Sequence, residues 1–459
     1  MRRGGTAGVI AASVIAIVVV LVALAAGRRS FSPQAAPAPP APAESAGGSG
    51  PGEPLALPEA SQGFLYGLVT TEGGAQYEGR VRWGGGEEAF WSDLFHGVRK
   101  ENRWASYVPQ ERLPRESHPF RLLGFELFRR ERPVGLGRPF VARFGDIARI
   151  ERRGRDVLVT LRSGTVSVLD RYEAGDFDDG VRVWDERQGV VDLDSLQIRT
   201  IEFLPTPQLG GVPARLYGTV RTRWGDFTGF VQWDREKCVG SDELEGRNAD
   251  GERLRLRFDS VRSIARRPPA GAEVTTLDGS TRMLSGTRDA GHGNRGLSVD
   301  DARYGRVLVS WDAFERVEFH AATSGPGYAD FPQGQPLSGS VTTRDGRRWT
   351  GRLVYDLDES ETTETLDAPG GGVDYMLPFG RVAAIDFPAR GSGAPAPVRV
   401  TLHGGEVLEL ESSGDFGAGN AGMLLFVEGS ERPEYLRPDE IARIELDRPL
   451  TIRAPAGDP

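Results

Sequence analysis

One pattern, written three times at fixed offsets, constrains this chain more than any other feature. Leu65-Tyr66-Gly67-Leu68-Val69-Thr70-Thr71 matches Leu216-Tyr217-Gly218-Thr219-Val220-Arg221-Thr222 and Leu337-Ser338-Gly339-Ser340-Val341-Thr342-Thr343. Each is followed by a glycine turn and then Gly79-x-x-x-Trp83, Gly229-x-x-x-Trp233 or Gly351-x-x-x-Tyr355. Each segment closes on an aromatic, an aliphatic and an isoleucine three apart: Phe144/Ile147/Ile150, Phe258/Val261/Ile264 and Phe379/Val382/Ile385. A second kind of segment comes after each. It opens on a strand and turn (Val157–Gly164, Val274–Gly279, Val400–Gly404), crosses an Asp/Gly-rich loop, and ends at Ile198/Ile201, Phe314/Val317 or Ile441/Ile444. The chain therefore reads A1-B1-A2-B2-A3-B3, and because A and B end alike it consists of six related units of about 50 residues.

Apolar and polar residues alternate over short runs, with turn residues every 8–12 positions, as roughly expected of antiparallel strands in a sandwich or small barrel. The expected fold is all-β: tandem small antiparallel β-barrel or sandwich units, in three A-B pairs, behind an N-terminal transmembrane helix. A unit this small is marginal alone, so A should pack on B. Short strands in a unit of this size, with a closing pattern such as Val309-Ser310-Trp311-Asp312-x-Phe314-x-x-Val317, resemble the SH3-like or Sm-like small barrel. The chain also resembles uncharacterised repeat proteins of the bacterial envelope. Neither resemblance implies catalytic residues.

The segment Gly8 to Ala26 carries no charge and is rich in Val, Ile, Leu and Ala, with Arg2 and Arg3 before it. As a helix it would span roughly 28 Å, near the hydrocarbon thickness of a bilayer. A retained anchor through residues 8–26 is the favoured reading. The alternative is secretion after cleavage at the small-x-small sequence Ala23-Leu24-Ala25. The Pro/Ala/Gly-rich stretch that follows buries too little to order itself and reads as an extended spacer. The divisions are 1–29 anchor, 30–62 linker, 63–204 first pair with an insertion near 88–139, 212–322 second pair, 334–448 third pair and 449–459 tail. Lysine occurs only at Lys100 and Lys237, arginine supplying the other cations, a usage that suggests a GC-rich bacterial gene. The expected location is the bacterial inner membrane, single-pass, with the body in the periplasm or outside the cell.

Formal net charge is −9, and residues 1–29 hold four arginines and no acid, so the remainder stands at −13. That balance does not favour a general nucleic-acid binder, which needs positive charge against phosphate, and no nucleic-acid partner is expected. Cys238 is the single cysteine, so no internal disulfide forms. The histidines are scattered without metal-ligand spacing, and no nucleophile motif is present, so no cofactor, metal or catalytic residue is assigned. The loops Asp176–Gly180, Asp289–Gly296 and Asp415–Gly422 carry oxygens suited to Ca²⁺, but Asx turns explain the same residues. The matched Trp83, Trp233 and Tyr355 read as core rather than as a glycan-stacking row.

A1 exceeds A2 and A3 by a stretch between Glu87 and Pro139. From Arg99 to Arg132 it holds nine basic and five acidic residues, a net of +4 in an acidic body. Loops grafted on a scaffold are where function concentrates. The candidate partner-binding residues are therefore Trp104, Tyr107, Arg129, Arg130 and Arg132, expected to lie exposed on one side of the first unit and to meet an anionic envelope partner or lipid headgroups. The plain alternative is an end cap on the terminal repeat. The leading functional expectation is a membrane-tethered binding or scaffold platform. The second is an envelope glycan hydrolase with an Asp/Glu pair in an inter-unit cleft.

Overall fold

Period-two burial shapes the strands one by one. In Asp156–Leu161, Val157, Val159 and Leu161 are buried and the residues between them are half-buried. The computed structural model describes residues 63–450, except 85–88, 110, 113–114, 123–124, 134–138, 172–174, 270, 322–324 and 390–395, and gives backbone alone for 115–122, 125–133 and 175–176. The anchor, the linker and the tail beyond Leu450 lie outside the described residues. Among the described residues no helix is long and apolar enough to cross a membrane.

The first repeat contains β1 (Tyr66–Thr71), β2 (Gln76–Trp83), β3 (Leu94–Val98), β4 (Arg115–Leu122), β5 (Phe125–Pro133), β6 (Pro139–Arg143), β7 (Ile147–Arg153), β8 (Asp156–Leu161), β9 (Val166–Asp170), the single turn α1 (Gly175–Asp178), β10 (Val181–Asp185), β11 (Gly189–Leu193) and β12 (Ile198–Phe203). The second contains β13 (Tyr217–Thr222), β14 (Gly225–Trp233), β15 (Glu243–Arg247), β16 (Arg253–Arg257), β17 (Val261–Arg267), β18 (Gly271–Thr276), β19 (Thr281–Ser285), β20 (Leu297–Asp301), β21 (Gly305–Val309) and β22 (Phe314–His320). The third contains β23 (Ser338–Thr343), β24 (Arg348–Val354), β25 (Thr365–Gly370), β26 (Val373–Pro378), β27 (Val382–Asp386), β28 (Val398–Leu402), β29 (Val407–Leu410), β30 (Met423–Phe426), β31 (Glu434–Leu436) and β32 (Ile441–Leu446). Every strand pairing is antiparallel, and the protein is all-β.

The order of the strands cuts across the A/B division of the sequence. In the first repeat it is β11-β10-β2-β1-β12-β7-β8-β9, and in the third, read the same way, β31-β30-β24-β23-β32-β27-β28-β29. In the second, β16-β15-β19-β18-β17-β22-β13-β14-β20-β21 runs on into β26-β25 of the third. The opening hairpin of each A half thus pairs with the last three strands of its B half. In the second repeat, β13–β14 joins β22 on one side and β20–β21 on the other, enclosing in sequence a continuous inner group, β15 to β19. Each repeat therefore has an outer five-stranded group split in sequence by inner strands, which are continuous in the second repeat and divided between two sheets in the first (β3-β6 and β7-β8-β9) and the third (β25-β26 and β27-β28-β29). The halves seen in the sequence are not the units in space.

The two groups meet on the closing motifs. Ile150 lies opposite Ile201, Ile264 opposite Val317, and Ile385 opposite Ile444. These are equivalent positions of A and B facing one another, so a local twofold axis passes through each pair. All six are buried. The repeated glycines mark the exchanged seam. A Cβ on Gly79, Gly229 or Gly351 would lie 2.0–2.2 Å from a backbone oxygen of the adjoining B strand, at Trp184, Asp300 and Phe426 respectively. Only glycine allows that approach.

Trp83, Trp233 and Tyr355 are buried at equivalent places. The second and third repeats share one core, continuous across the β21–β26 pairing, whereas the first has its own. Phe64 and Phe90 of the first repeat pack against Cys238 and Val239 of the second. There burial pushes the Cys238 thiol above its ordinary range. Trp104 and Val108 of the first repeat pack against Val354, Leu357, Leu424 and Tyr435 of the third. Each repeat touches both others, so the three do not run out as an extended row.

Candidate functional site

The five residues singled out in the insertion separate in the structure. Trp104 is 8% exposed and sits in the apolar junction with the third repeat, so its expected exposure is corrected. The basic composition around it suggested a solvated loop, but the segment straps repeat one to repeat three. Tyr107 is 47% exposed and meets Phe426 edge-on at 5.6 Å. Arg129, Arg130 and Arg132 lie on β5, opposite Pro119, His118 and Glu116 of β4. β4 and β5 form a two-stranded sheet of their own. Much of the remaining positive charge of the insertion is already matched. Arg99 pairs with Asp358 and with Glu364 (2.8 Å), Lys100 with Asp156 (2.6 Å), and Arg112 with Glu440 (3.3 Å).

Arg99 leads to a site that sequence reasoning missed. It enters a cavity of about 210 Å³ at the junction of repeats one and three, lined by Asp356, Asp358, Glu359, Glu364, Asp367 and Asp415. Burial, reinforced by Asp358 and Asp415, pushes Glu359 well above the usual carboxylate range. Burial and then Asp367 do the same to Asp415. Burial lifts Asp367 to about 6. Glu364 is raised by burial in spite of Arg99 beside it. One guanidinium thus faces six acids.

The second and third of the loops weighed for Ca²⁺, Asp289–Gly296 and Asp415–Gly422, are built as turns. The Asn294 and Asn420 side-chain oxygens accept from the Gly296 and Gly422 N–H groups at 2.7 and 2.8 Å. Asp289 accepts from the Glu245 N–H at 2.8 Å, and Asp415 from the Asp367 N–H at 2.6 Å, each clamping its loop to an inner strand. Among the described residues no group of three or more His, Cys, Asp or Glu is placed to hold a metal ion.

The acid cavity gives a stability prediction. A carboxyl group raised in the folded state keeps a proton that the unfolded chain, near its ordinary value of about 4, has released. That contribution is full below pH 4 and is lost as pH rises through 6 and beyond. Between pH 5 and 7.5 the wild type should lose more stability than Glu359→Gln, because burial raises the Glu359 carboxyl in the folded state. Urea unfolding of both proteins at the two pH values measures it; parallel pH profiles would contradict it.

No family model matches this chain, and no curated protein or solved structure is significantly similar to it.

Proposed function

We propose that the chain is a membrane-tethered, extracytoplasmic β-repeat protein that serves as a binding or scaffold platform for an envelope protein or polymer. One observation carries this reading: among the described residues the β4–β5 hairpin of the insertion pairs only with itself, as β3–β6 does, and it is the one of the two that bears basic residues of the insertion. Unpaired hairpin edges are templates for adding a partner strand. Arg129, Arg130 and Arg132 on β5 supply the charge for an anionic partner or lipid headgroups, at about 1 kcal/mol per basic residue near an anionic surface. Tyr107 stays in the proposed contact set and Trp104 leaves it. Residues 8–26 anchor the chain in the bacterial inner membrane and the proline-rich linker holds the body away from it, with secretion after signal cleavage as the alternative. The order of each outer five-stranded group (fifth, first, second, third, fourth) supports a small-barrel reading of the SH3-like or Sm-like kind for that group.

The test compares a soluble form starting at Gly63 with its Arg129→Ser/Arg130→Ser/Arg132→Ser variant, on liposomes containing anionic lipid and on envelope fractions. The wild type should bind, more weakly as salt rises, because exposed charges are screened over about 8 Å at physiological ionic strength. Equal binding by both, or binding indifferent to salt, would discard the idea.

A second reading, an envelope glycan hydrolase, is favoured by the inter-repeat cavity with its raised carboxyl groups. It takes second place because about 210 Å³ falls short of the roughly 300–1,000 Å³ usual for ligand pockets. Release of soluble glycan from envelope material, abolished by Glu359→Gln or Asp415→Asn, would promote it.

A further inference from the structure

The second and third repeats carry the same acidic turn but neutralise it differently. Aligned on Trp233 and Tyr355, Asp234 corresponds to Asp356 and Glu236 to Asp358, and aligned on the loops, Asp289 corresponds to Asp415. The turns match in detail. Asp234 and Arg235 have φ of 53°, and Asp356 and Leu357 of 48° and 55°. The Asp234 carboxylate accepts from the Arg295 N–H, and that of Asp356 from the equivalent Ala421 N–H.

In the second repeat three acids meet three cations. The Lys237 ammonium lies 2.7 Å from Asp289. Arg288 pairs with Asp234 (2.5 Å) and with Glu236, and Arg295 with Glu236 (3.2 Å). In the third repeat the positions of Lys237, Arg288 and Arg295 hold Glu359, Gly414 and Ala421. The acids are kept, all three cations are gone, and a fourth acid stands where the ammonium was. Arg99, from the first repeat, pairs with Asp358 and Glu364. The Glu359 Oε2 atom, closed off from solvent, meets no hydrogen-bond donor, and neither does Asp367 Oδ1. An enclosed carboxylate without a partner is costly unless a cation joins it.

We propose that this cavity binds a primary ammonium group on a flexible alkyl chain, set where Lys237 sets its own ammonium in the sibling repeat. The ligand class follows from that internal counterpart, and from the absence, among the described residues, of an acid set placed for a metal ion. The ammonium can come from a free diamine or from a lysine side chain of a partner, the two sharing one chemistry. This site is separate from the β4–β5 hairpin, and its test does not depend on membrane or envelope binding.

The experiment uses the full-length protein in detergent micelles at pH 7.5 and constant ionic strength, following thermal unfolding. The probes are 1,5-diaminopentane, Nα-acetyl-lysine amide and calcium chloride. Either amine should raise the wild-type midpoint by several degrees at millimolar concentration, well above calcium. A response to both amines points to a lysine side chain as a sufficient source, and a response to the diamine alone to a free polyamine. Glu359→Lys should raise the midpoint without ligand, because it supplies the missing ammonium, and should weaken the amine response at least tenfold. Glu359→Gln, which keeps the shape of the side chain, should weaken it without supplying a charge. A wild type indifferent to both amines, a Glu359→Lys variant that responds as the wild type does, or a calcium response exceeding that of the amines would each overturn the assignment.

Discussion

Replacing Arg306 by methionine is expected to cost about 3–5 kcal/mol of stability at pH 7, the range for removing one member of a buried ion pair. Arg306 donates from Nε to Asp300 at 2.8 Å and from Nη2 to Asp93 at 3.0 Å and to the Ser92 carbonyl at 3.1 Å. Its side chain is 11% exposed and that of Asp93 only 4%. Asp93 belongs to the first repeat and Asp300 and Arg306 to the second, so the arginine neutralises an acid from each side of a junction. Arg215 completes the joint, its guanidinium between the Phe90 ring at 3.8 Å and the Phe230 ring at 4.0 Å. Methionine keeps most of the volume, so the expected loss is electrostatic. Burial pushes Asp300 upward, but Arg306 and Arg215 outweigh it and hold the group below its ordinary value. A depressed carboxyl contributes stability above its unfolded value of about 4 and loses it as pH falls through its folded value. The deficit of the variant should therefore shrink as pH is lowered toward 4, where the stranded acids can take up protons. Urea unfolding at pH 7 and pH 4.5 measures both parts. A loss under about 1 kcal/mol at pH 7 would place the pair in the weak class of exposed ion pairs.

Trp233→Ala should be as damaging, at about 3–5 kcal/mol, the range for deleting a large buried aromatic. Trp233 is fully buried on β14 of the outer group. It meets Phe314 of the outer group at 5.4 Å, Phe258 of the inner group at 6.2 Å, and Trp311 at 6.0 Å. Its indole N–H donates to the Asp289 carbonyl at 3.1 Å, tying down the loop between the groups. The substitution therefore opens a cavity where both groups share a core and removes one of the two donors to that carbonyl, the other being the Asn294 side-chain amide at 3.1 Å. Leu277→Ala, at a residue 57% exposed, should change stability by less than about 0.5 kcal/mol. Similar losses for the two would show that Trp233 does not join the groups.

What the sequence made legible follows from what repeats. The glycines, the buried aromatics and the closing isoleucines recur because each has one structural task, and reading them was enough for an all-β protein in three copies. Which strand lies beside which was not legible. Period-two burial tells that β2 has a buried face, yet it is silent on whether its neighbour is β3, next in sequence, or β10, about a hundred residues on. The one sequence signal for the exchange was Gly79, Gly229 and Gly351, whose missing side chains admit a strand from the other half.

The acid cavity was half legible. Asp415 was visible as a loop acid, and Glu359 stood four residues after Tyr355 exactly as Lys237 stands after Trp233. The third loop nevertheless looked poor in carboxylates, because its partners arrive on β25, on the turn after β24, and with Arg99 from another repeat. Trp104 was misread for the same reason. An aromatic in a basic insertion looks exposed until the repeat it docks on is known.

The interlocked pairing is most directly tested by a disulfide between strands far apart in sequence. Arg82 on β2 lies directly opposite Arg182 on β10. Residues so paired have Cα atoms about 4.5–5.5 Å apart, within disulfide range. With Cys238 changed to Ser so that the native thiol does not compete, Arg82→Cys/Arg182→Cys should oxidise to a cross-linked species resolved by non-reducing electrophoresis after proteolysis between the two strands. Arg82→Cys/His96→Cys, which would join β2 to the next strand in sequence, should remain reduced. A cross-link in the second pair and none in the first would mean that each A half folds on itself, and would contradict the exchange.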